Sequence, residues 1–384
     1  MKYIPYGRQS IDRDDIREVV KVLKSDWITQ GPKVQEFESA LAKYCGAKYA
    51  VAVSSGTAAL HIACLAAGIR QLDEVITSPI TFVASANCIL YCGAKPVFAD
   101  VQEDTINIDP QEVKKKITKE TKAIIPVHFA GHPCDMKEIA TIAKKHNLIV
   151  IEDAAHALGA EYKSSKIGSC KYSDMTIFSF HPVKSITTGE GGAILSNDKI
   201  LYNRLLLLRN HGIKKNSRML LNKKQGSWYY EMQELGYNYR ITDFQAALGI
   251  TQLKKLDHFI EKRRQIAFRY SRAFKNLDFL SLPIQNEFSR SSWHLFVLLI
   301  DFKKIKKSKE QVMKELAAKG IFTQVHYIPV HTQPYYQRKF GFEWGDFPIA
   351  EKYYRKAISI PNFPKMAEAD IKYVIKNITA LSQQ

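Results

Sequence analysis

Between Tyr49 and Asn197 the chain alternates short apolar runs with amphipathic segments, and this alternation constrains the fold more than any other feature. Several of the apolar runs are rich in valine and isoleucine and are bounded by polar, glycine or proline residues, as strands are. Seven strands are predicted, at Tyr49–Val53, Glu74–Thr77, Pro96–Ala99, Ala123–Val127, Leu148–Glu152, Thr176–Phe180 and Ala193–Leu195. Helices are predicted between them, at Thr57–Ala67, Ala84–Tyr91 and Met136–His146. The pattern predicts an α/β fold, in which a mostly parallel seven-stranded sheet carries helices on both faces and binds ligands at the carboxyl ends of its strands.

The rest of the chain predicts a second, smaller domain. Apolar residues recur at helical spacing from Asp243 to Asn276, which predicts one long helix that links the two domains. Beyond it, Trp293–Ile300 and Thr323–Tyr327 read as strands and Lys309–Lys319 as a helix, so we expect an α+β domain. The predicted division is an N-terminal segment at 1–30 associated with the small domain, a large domain at 31–245, the linking helix at 246–276 and the small domain at 277–384.

Composition favours a cytoplasmic protein with reduced thiols. The 384 residues contain no apolar stretch long enough to span a membrane, and residues 1–8 lack the apolar core of a signal peptide. The six cysteines follow neither a metal-ligand spacing nor a disulfide framework. We therefore expect no membrane contact, no bound metal and a cytoplasmic location.

The formal net charge of +18 raises the possibility of nucleic-acid binding. The basic residues are dispersed, however, and short runs such as Lys114–Lys116 read as solvated surface. No zinc-finger, RNP or basic-zipper pattern is present. We therefore expect no nucleic-acid partner, and a positive field would equally attract an anionic small molecule.

Lys184 and Asp153 are the residues that carry the strongest chemical signal. Lys184 lies in the segment Ser179–Gly192, which contains three glycines, and Asp153 ends the most hydrophobic strand. A desolvated lysine can form a Schiff base with pyridoxal phosphate, and a carboxylate at such a strand end can pair with the pyridinium nitrogen of that cofactor. Taken alone, Lys184 would more often be a solvated surface lysine.

Three further positions fit the same cofactor. Ser55, Gly56 and Thr57 follow the first strand and open a helix, where backbone N–H groups and hydroxyls can bind a phosphate. Phe82 follows the second strand and can stack on a planar ring, and His156 lies three residues after Asp153. Each has an ordinary structural alternative: a helix N-cap, a core phenylalanine and a structural histidine.

The phosphate-binding segment, the aromatic residue, the aspartate and the lysine follow one another along the chain as they do in the sugar-nucleotide aminotransferases of the DegT/DnrJ/EryC1/StrS family. In this order of motifs the sequence resembles that family. The resemblance covers nearly the whole chain and includes Trp27–Pro32, Ser55–Gly192 and Gly236–Arg240. It implies a pyridoxal-phosphate enzyme of fold type I. One branch of the family has histidine in place of the lysine and catalyses dehydration, and Lys184 argues against that branch.

The resemblance also implies roles for individual residues. Lys184 matches the lysine that binds the cofactor covalently, Asp153 the partner of the ring nitrogen and Phe82 the stacking aromatic. Gly56, Thr57 and Ser179 match phosphate-binding positions. Asn238 matches an asparagine that reaches the phosphate from a neighbouring subunit, which implies a homodimer with shared active sites. His156 stands where many members have glutamine, so the group that contacts the ring oxygen stays open.

Segments near the C-terminus resemble a particular group within the family, at Gln324–His331, Gln333–Tyr336 and Ala357–Pro361. Members of that group transfer the amino group of L-glutamate to C4 of a UDP-4-keto-6-deoxy-N-acetylhexosamine. The products are 2-oxoglutarate and UDP-4-amino-4,6-dideoxy-N-acetyl-β-L-altrosamine, a precursor of pseudaminic acid. Three alternatives stay open: amination of UDP-4-keto-6-deoxy-GlcNAc on a bacillosamine-type route, amination of another nucleotide sugar, and a non-catalytic regulator with the same fold.

Five residues are candidates for contacts with the sugar nucleotide: Tyr6, Trp27, Thr29, His326 and Tyr327. Packing between the two domains is an equally good explanation for most of them, because domain interfaces hold both packing and ligand-binding groups.

Overall fold

The main sheet of the protein has seven strands, as predicted. The computed structural model describes residues 3–215, 220–222 and 225–382. Its helices are α1 Arg13–Leu23, α2 Pro32–Cys45, α3 Gly56–Ala66, α4 Ala84–Tyr91, α5 Pro110–Lys116, α6 Met136–His146, α7 Lys199–Arg209, α8 Asp243–Lys254, α9 Leu256–Phe274, α10 Lys309–Ala318, α11 Pro334–Phe340, α12 Pro348–Lys356 and α13 Glu368–Thr379. Its strands are β1 Tyr49–Val53, β2 Glu74–Thr77, β3 Lys95–Phe98, β4 Thr121–Ile125, β5 Ile149–Asp153, β6 Glu161–Tyr162, β7 Ser165–Lys166, β8 Met175–Ser179, β9 Gly192–Ser196, β10 Ile213–Lys214, β11 Glu231–Met232, β12 Leu280–Ser281, β13 Ser289–Arg290, β14 Phe296–Ile300 and β15 Ala357–Ile360.

The order of strands in the main sheet is β1-β9-β8-β5-β4-β2-β3. Only β9 runs antiparallel to its neighbours β1 and β8, and the remaining pairs are parallel. Alternate residues of β1 enter two different apolar clusters, Ala50 and Ala52 in one and Val51 and Val53 in the other. Because alternate side chains of a strand point to opposite faces, the sheet is buried on both sides, as a mostly parallel sheet must be.

Two predicted elements of the second half are wrong. The long helix from Asp243 to Asn276 breaks at Lys255, which ends α8 and precedes α9, and its ammonium pairs with Asp12 and Asp15 near the N-terminus. The segment Thr323–Tyr327 is not a strand: only Gln324 forms a bridge, to Ser359, and the chain then turns so that the next side chains face a cavity.

The predicted strand at Trp293–Ile300 starts later, at Phe296. Trp293 has a φ of 49°, a left-handed conformation that a strand cannot contain. The strand β14 pairs antiparallel with β12 and β15 and packs on α9, α10 and α13 in a separate apolar core. The chain therefore has a second centre of packing beside the main sheet.

The N-terminal segment contacts both parts of the molecule. Ile4 pairs with Ile321, and the carbonyl of Tyr6 accepts a hydrogen bond from the N–H of Asn362, so this end packs with the apolar core around β14. Helix α1 instead packs against α8. We propose that the predicted large domain (31–245), linking segment (246–276) and small domain (277–384) hold. Within the N-terminal segment, we propose that residues 3–6 belong with the small domain, whereas α1 connects it to α8.

In the part of the chain that the structure describes, no helix is long and apolar enough to cross a membrane. The same residues contain no group of three or more His, Cys, Asp or Glu side chains arranged to hold a metal ion. All six cysteines are free thiols.

Gly249 lets α8 pack closely against Phe37 of α2, and we expect Gly249→Ala to destabilise the protein. A Cβ at position 249 would lie 2.6 Å from Cζ of the buried Phe37 ring. The higher helix propensity of alanine alone would raise the free energy of unfolding by about 1 kcal/mol. Overpacking the core would lower it by about 1–3 kcal/mol, so a net loss of stability would identify the close contact with Phe37 as the cause. Urea unfolding measures the change in the free energy of unfolding. Adding Phe37→Leu to Gly249→Ala should recover part of the lost stability. A more stable Gly249→Ala protein would contradict this packing.

Candidate active site

A cavity of about 610 Å³ lies at the carboxyl ends of β1, β2, β5 and β8 and extends to the small domain. Its volume falls within the range of small-molecule sites. Eleven of the predicted site residues line it, namely Tyr6, Ser55, Gly56, Thr57, Phe82, Asp153, His156, Ser179, Lys184, His326 and Tyr327. The structure therefore brings together residues that lie more than three hundred positions apart in the chain.

One wall of the cavity is the junction of β1 and α3. The Ser55 side chain caps α3 by accepting a hydrogen bond from the N–H of Ala58 at 3.1 Å. The first N–H groups of a helix have no acceptor within the helix, and the helix dipole favours an anion there. Gly56 packs so closely that a Cβ would lie 2.8 Å from Cβ of Ser179. This wall is thus a cradle for an anion such as a phosphate, with Thr57 beside it.

Asp153 ends β5 at the floor of the cavity and is 5% exposed. Its Oδ2 accepts a hydrogen bond from Ser85 Oγ at 2.6 Å, and its Oδ1 accepts one from the N–H of Ala155 at 3.1 Å. Ser85 in turn is hydrogen-bonded to Thr81 Oγ1 at 2.7 Å. A buried carboxylate held this way is oriented to pair with a cationic group in the cavity. Ser85 escaped the sequence analysis, although it lies in the segment that follows Phe82.

Lys184 lines the same cavity and carries a perturbed amine. Burial lowers the pKa of Lys184 from 10.5 to about 8, and the Asp153 carboxylate opposes that shift. A lysine with a pKa near neutrality has a substantial fraction of neutral, nucleophilic amine. The position therefore suits covalent chemistry with a carbonyl compound or proton transfer at a carbon atom.

Neutral histidines surround this amine. Burial, with the Lys184 cation as a further cause, holds the pKa of His156 well below its usual range, and the same causes lower the pKa of His326 to about 3. His156 Nε2 is hydrogen-bonded to the Tyr327 hydroxyl at 2.9 Å, and the His294 ring centroid lies 4.4 Å from that of His156. His294 also lines the cavity, and the sequence analysis did not identify it.

The wall formed by the small domain is aromatic and polar. His326 Nδ1 is hydrogen-bonded to Ser359 Oγ at 2.8 Å, and its ring centroid lies 5.1 Å from that of Tyr6. Phe82 faces this wall across the cavity, with its ring centroid 6.3 Å from that of Tyr327. The Phe82 side chain is 58% exposed, so it is not the core phenylalanine that was its structural alternative.

Three predicted site residues lie outside the cavity within one chain. Asn238, Trp27 and Thr29 are exposed, and none of them lines it. The backbone of Asn238 pairs with Asn210, which holds the segment near the surface. Within a single chain, these residues and the other predicted site residues do not form one cluster.

Comparison with known proteins identifies relatives over the full length of the chain. The model of the DegT/DnrJ/EryC1/StrS aminotransferase family matches residues 9–379. The spore coat polysaccharide biosynthesis protein SpsC of Bacillus subtilis is 45% identical, with 98% of this chain and 96% of that protein covered. A UDP-4-amino-4,6-dideoxy-N-acetyl-β-L-altrosamine transaminase of Campylobacter jejuni is 42% identical, with 97% and 95% covered. Among solved structures, PseC of Helicobacter pylori, an aminotransferase of pseudaminic acid biosynthesis, superposes with a TM-score of 0.91 at 33% identity and covers 100% of both chains.

Proposed function

The chain belongs to the DegT/DnrJ/EryC1/StrS aminotransferase family, and on that premise we propose that it transfers the amino group of L-glutamate to C4 of a UDP-4-keto-6-deoxy-N-acetylhexosamine. Family membership makes it a pyridoxal-phosphate-dependent nucleotide-sugar aminotransferase with the α/β fold of those enzymes. The observation that carries the choice of reaction is the placement of Lys184 and Asp153 in one cavity. The similarity to the altrosamine transaminase of Campylobacter jejuni supports the proposed product, UDP-4-amino-4,6-dideoxy-N-acetyl-β-L-altrosamine.

The residues of the cavity fit pyridoxal phosphate. Lys184 would hold it covalently, and the Asp153 carboxylate would pair with its ring nitrogen. The α3 cradle would bind the phosphate through Ser55, Gly56, Thr57 and Ser179, with Phe82 against the ring face. The Nδ1 atom of His156 is buried and lacks a hydrogen-bond partner among the described residues, which supports the proposal that this imidazole contacts the ring oxygen. When bound, the cofactor supplies an electron sink for the carbanion formed at the substrate.

In this reaction Lys184 moves a proton at the α-carbon of the amino acid, first as a base and then as an acid. Its lowered pKa keeps part of the amine neutral and ready to accept that proton. The imidazoles of His156 and His326 stay uncharged beside it, because burial lowers their pKa values. Lys184 performs the reverse transfer when the sugar nucleotide replaces 2-oxoglutarate.

Tyr6, His326 and Tyr327 are the proposed contacts to the sugar, since they form the wall of the cavity opposite the α3 cradle. Trp27 and Thr29 lie outside the cavity of their own chain. We assign them to the entrance of the site in an assembled dimer.

A homodimer with shared active sites is part of this proposal. The segment from Trp228 to Leu235 exposes four large apolar side chains, those of Trp228, Tyr230, Met232 and Leu235, at 53–77% of their surface. A segment that exposes several large apolar side chains is a candidate for a protein interface. Asn238 lies three residues after Leu235 and is exposed, and we propose that its side chain reaches the phosphate of a partner subunit. The free thiols fit the proposed cytoplasmic location.

Product analysis tests the proposed substrate. The enzyme is given L-glutamate with either the L-arabino or the D-xylo form of UDP-4-keto-6-deoxy-N-acetylhexosamine, and the products are identified by mass spectrometry and NMR. We expect amination of the L-arabino form. Preference for the D-xylo form would assign the enzyme to a bacillosamine-type route, and amination of neither form would overturn the substrate.

The lowered pKa of Lys184 predicts its reactivity in the cofactor-free protein. An acylating reagent attacks only the neutral amine, so labelling of Lys184 should rise with pH through a midpoint near 8. Exposed lysines should reach their midpoint about two units higher, near the ordinary value of ~10.4. Peptide mass spectrometry measures both classes in the same sample, so the surface lysines are the internal control. A common midpoint would contradict the lowered pKa.

A further inference from the structure

Lys184 also lines a second, much smaller cavity. This cavity has a volume of about 10 Å³ and lies between the Lys184 loop, the N-terminal segment around Arg8 and the helices α8 and α9. A space of that size holds a single occupant of about the size of a water molecule. Among the described residues, its lining includes three basic residues, Arg8, Lys184 and Arg263, and no aspartate or glutamate.

Arg263 contributes a buried positive charge to this cavity. Its side chain is 1% exposed. Its Nη1 donates hydrogen bonds to the carbonyl oxygens of His294, at 3.3 Å, and Asn362. No carboxylate among residues 3–215, 220–222 and 225–382 forms an ion pair with it, and its Nε has no acceptor there. Burial lowers the pKa of Arg263 to about 10, which leaves the guanidinium charged at neutral pH. A buried charge without a counter-ion is costly, so the site favours an occupant of opposite charge.

Ser185 supplies a second donor at the same place. It is 5% exposed, and its Oγ has no hydrogen-bond partner in the described part of the chain. A guanidinium can only donate hydrogen bonds, and a serine hydroxyl can donate one. Gln252, which also lines the cavity, already donates to Ser10 and Asp15, so its amide nitrogen is occupied. The two unsatisfied groups therefore both call for an acceptor.

We propose that this cavity binds one monatomic anion of the halide class, chloride being the probe, against Arg263 and Ser185. The cavity has room for one occupant of about the size of a water molecule, so a monatomic anion fits it better than phosphate or a carboxylate does. The uncompensated charge of Arg263 favours an anion over a water molecule. The site is separate from the α3 cradle, and it does not depend on the substrate proposed above.

An anion at this position acts on the neighbouring amine. Lys184 faces the cavity on one side and Asp153, His156, His294 and His326 on the other. Of these groups only Asp153 favours the protonated amine, because the three histidines are held neutral. A bound anion adds a second negative charge near the amine and shifts its pKa upward.

Crystals of the holoenzyme soaked in sodium bromide test the site directly. We expect an anomalous peak in the cavity beside Arg263 Nε and Ser185 Oγ. A water molecule without an anomalous signal in that cavity would overturn the proposal, as would bromide bound only at the protein surface.

Thermal unfolding of the holoenzyme gives the solution test. Chloride is exchanged for gluconate, which is too large for the cavity, at constant ionic strength. We expect the melting temperature to rise with chloride and to saturate, because a ligand that binds only the folded state stabilises it. A melting temperature that is the same in both salts would overturn the proposal.

Variants distinguish chloride binding in this cavity from general effects of salt on the melting temperature. Ser185→Ala should weaken chloride binding about tenfold, the loss of one hydrogen bond to a charged group. Arg263→Met should abolish the chloride response, whereas Arg272→Met, an exposed position on the same helix, should keep it. If Arg263→Met does not fold, Ser185→Ala still tests the proposed anion site. An unchanged chloride response of Ser185→Ala would overturn the proposal.

Discussion

Lys184→Ala is expected to lower the rate of transamination by about 10⁴-fold or more, the upper range for the loss of a general acid–base group. In the proposed mechanism, the variant loses both the covalent attachment of the cofactor and the amine that moves the substrate proton. No other lysine lines the cavity, so no neighbouring amine in the described part of the chain can replace it. The rate is measured with L-glutamate and the keto sugar nucleotide at saturating pyridoxal phosphate.

Lys119→Ala is the matched control for that variant. The Lys119 side chain is 90% exposed, so its loss should leave both the rate and the cofactor content unchanged. Pyridoxal phosphate bound to Lys184→Ala without covalent attachment should be released on dialysis, whereas Lys119→Ala should retain it. Turnover by Lys184→Ala within about tenfold of the unmodified enzyme would contradict the role of this lysine.

Asp153→Asn is expected to lower the rate by about 10²- to 10⁴-fold while the protein stays folded and binds the cofactor. The amide has the same shape as the carboxylate but no charge, so it cannot hold the ring nitrogen protonated. Proton abstraction from the amino acid then becomes slower. With α-deuterated glutamate the isotope effect on the rate should increase, since this step limits turnover.

Two further variants test whether the effect of Asp153→Asn comes from the loss of its charge. Ser85→Ala removes the hydroxyl that donates to Asp153 Oδ2 at 2.6 Å, and it should have a smaller effect than Asp153→Asn because the charge is kept. Asp26→Asn changes an exposed carboxylate and should have none. Equal rates for Asp153→Asn and the unmodified enzyme would rule out the pairing of Asp153 with the cofactor.

The predicted secondary structure succeeded where the local pattern was strong. All seven strands of the main sheet form within two residues of their predicted ends, because β-branched runs bounded by polar residues are a local signal. The predicted secondary structure was less accurate in the second half of the chain. The spacing of apolar residues continues smoothly through Lys255, so the break between α8 and α9 left no trace in the periodicity.

The segment Thr323–Tyr327 shows why a strand-like composition can mislead. Its residues resemble a strand in type, but His326 is hydrogen-bonded to Ser359 and Tyr327 to His156 through their side chains. These bonds orient the segment as a wall of the cavity. Tertiary contacts thus overrode a local preference.

The sequence by itself determined the α/β fold, the positions of Asp153 at the end of β5 and of Lys184 in the loop after β8, and the family to which the chain belongs. These features are encoded in short segments, whose periodicity and residue types act locally. Only the tertiary structure decided which distant groups meet. Ser85 bonds Asp153 from 68 positions away, His294 packs on His156, and Arg263 lies buried beside Ser185. Such pairings depend on how the helices and strands pack together, and no local pattern in the chain specifies that packing.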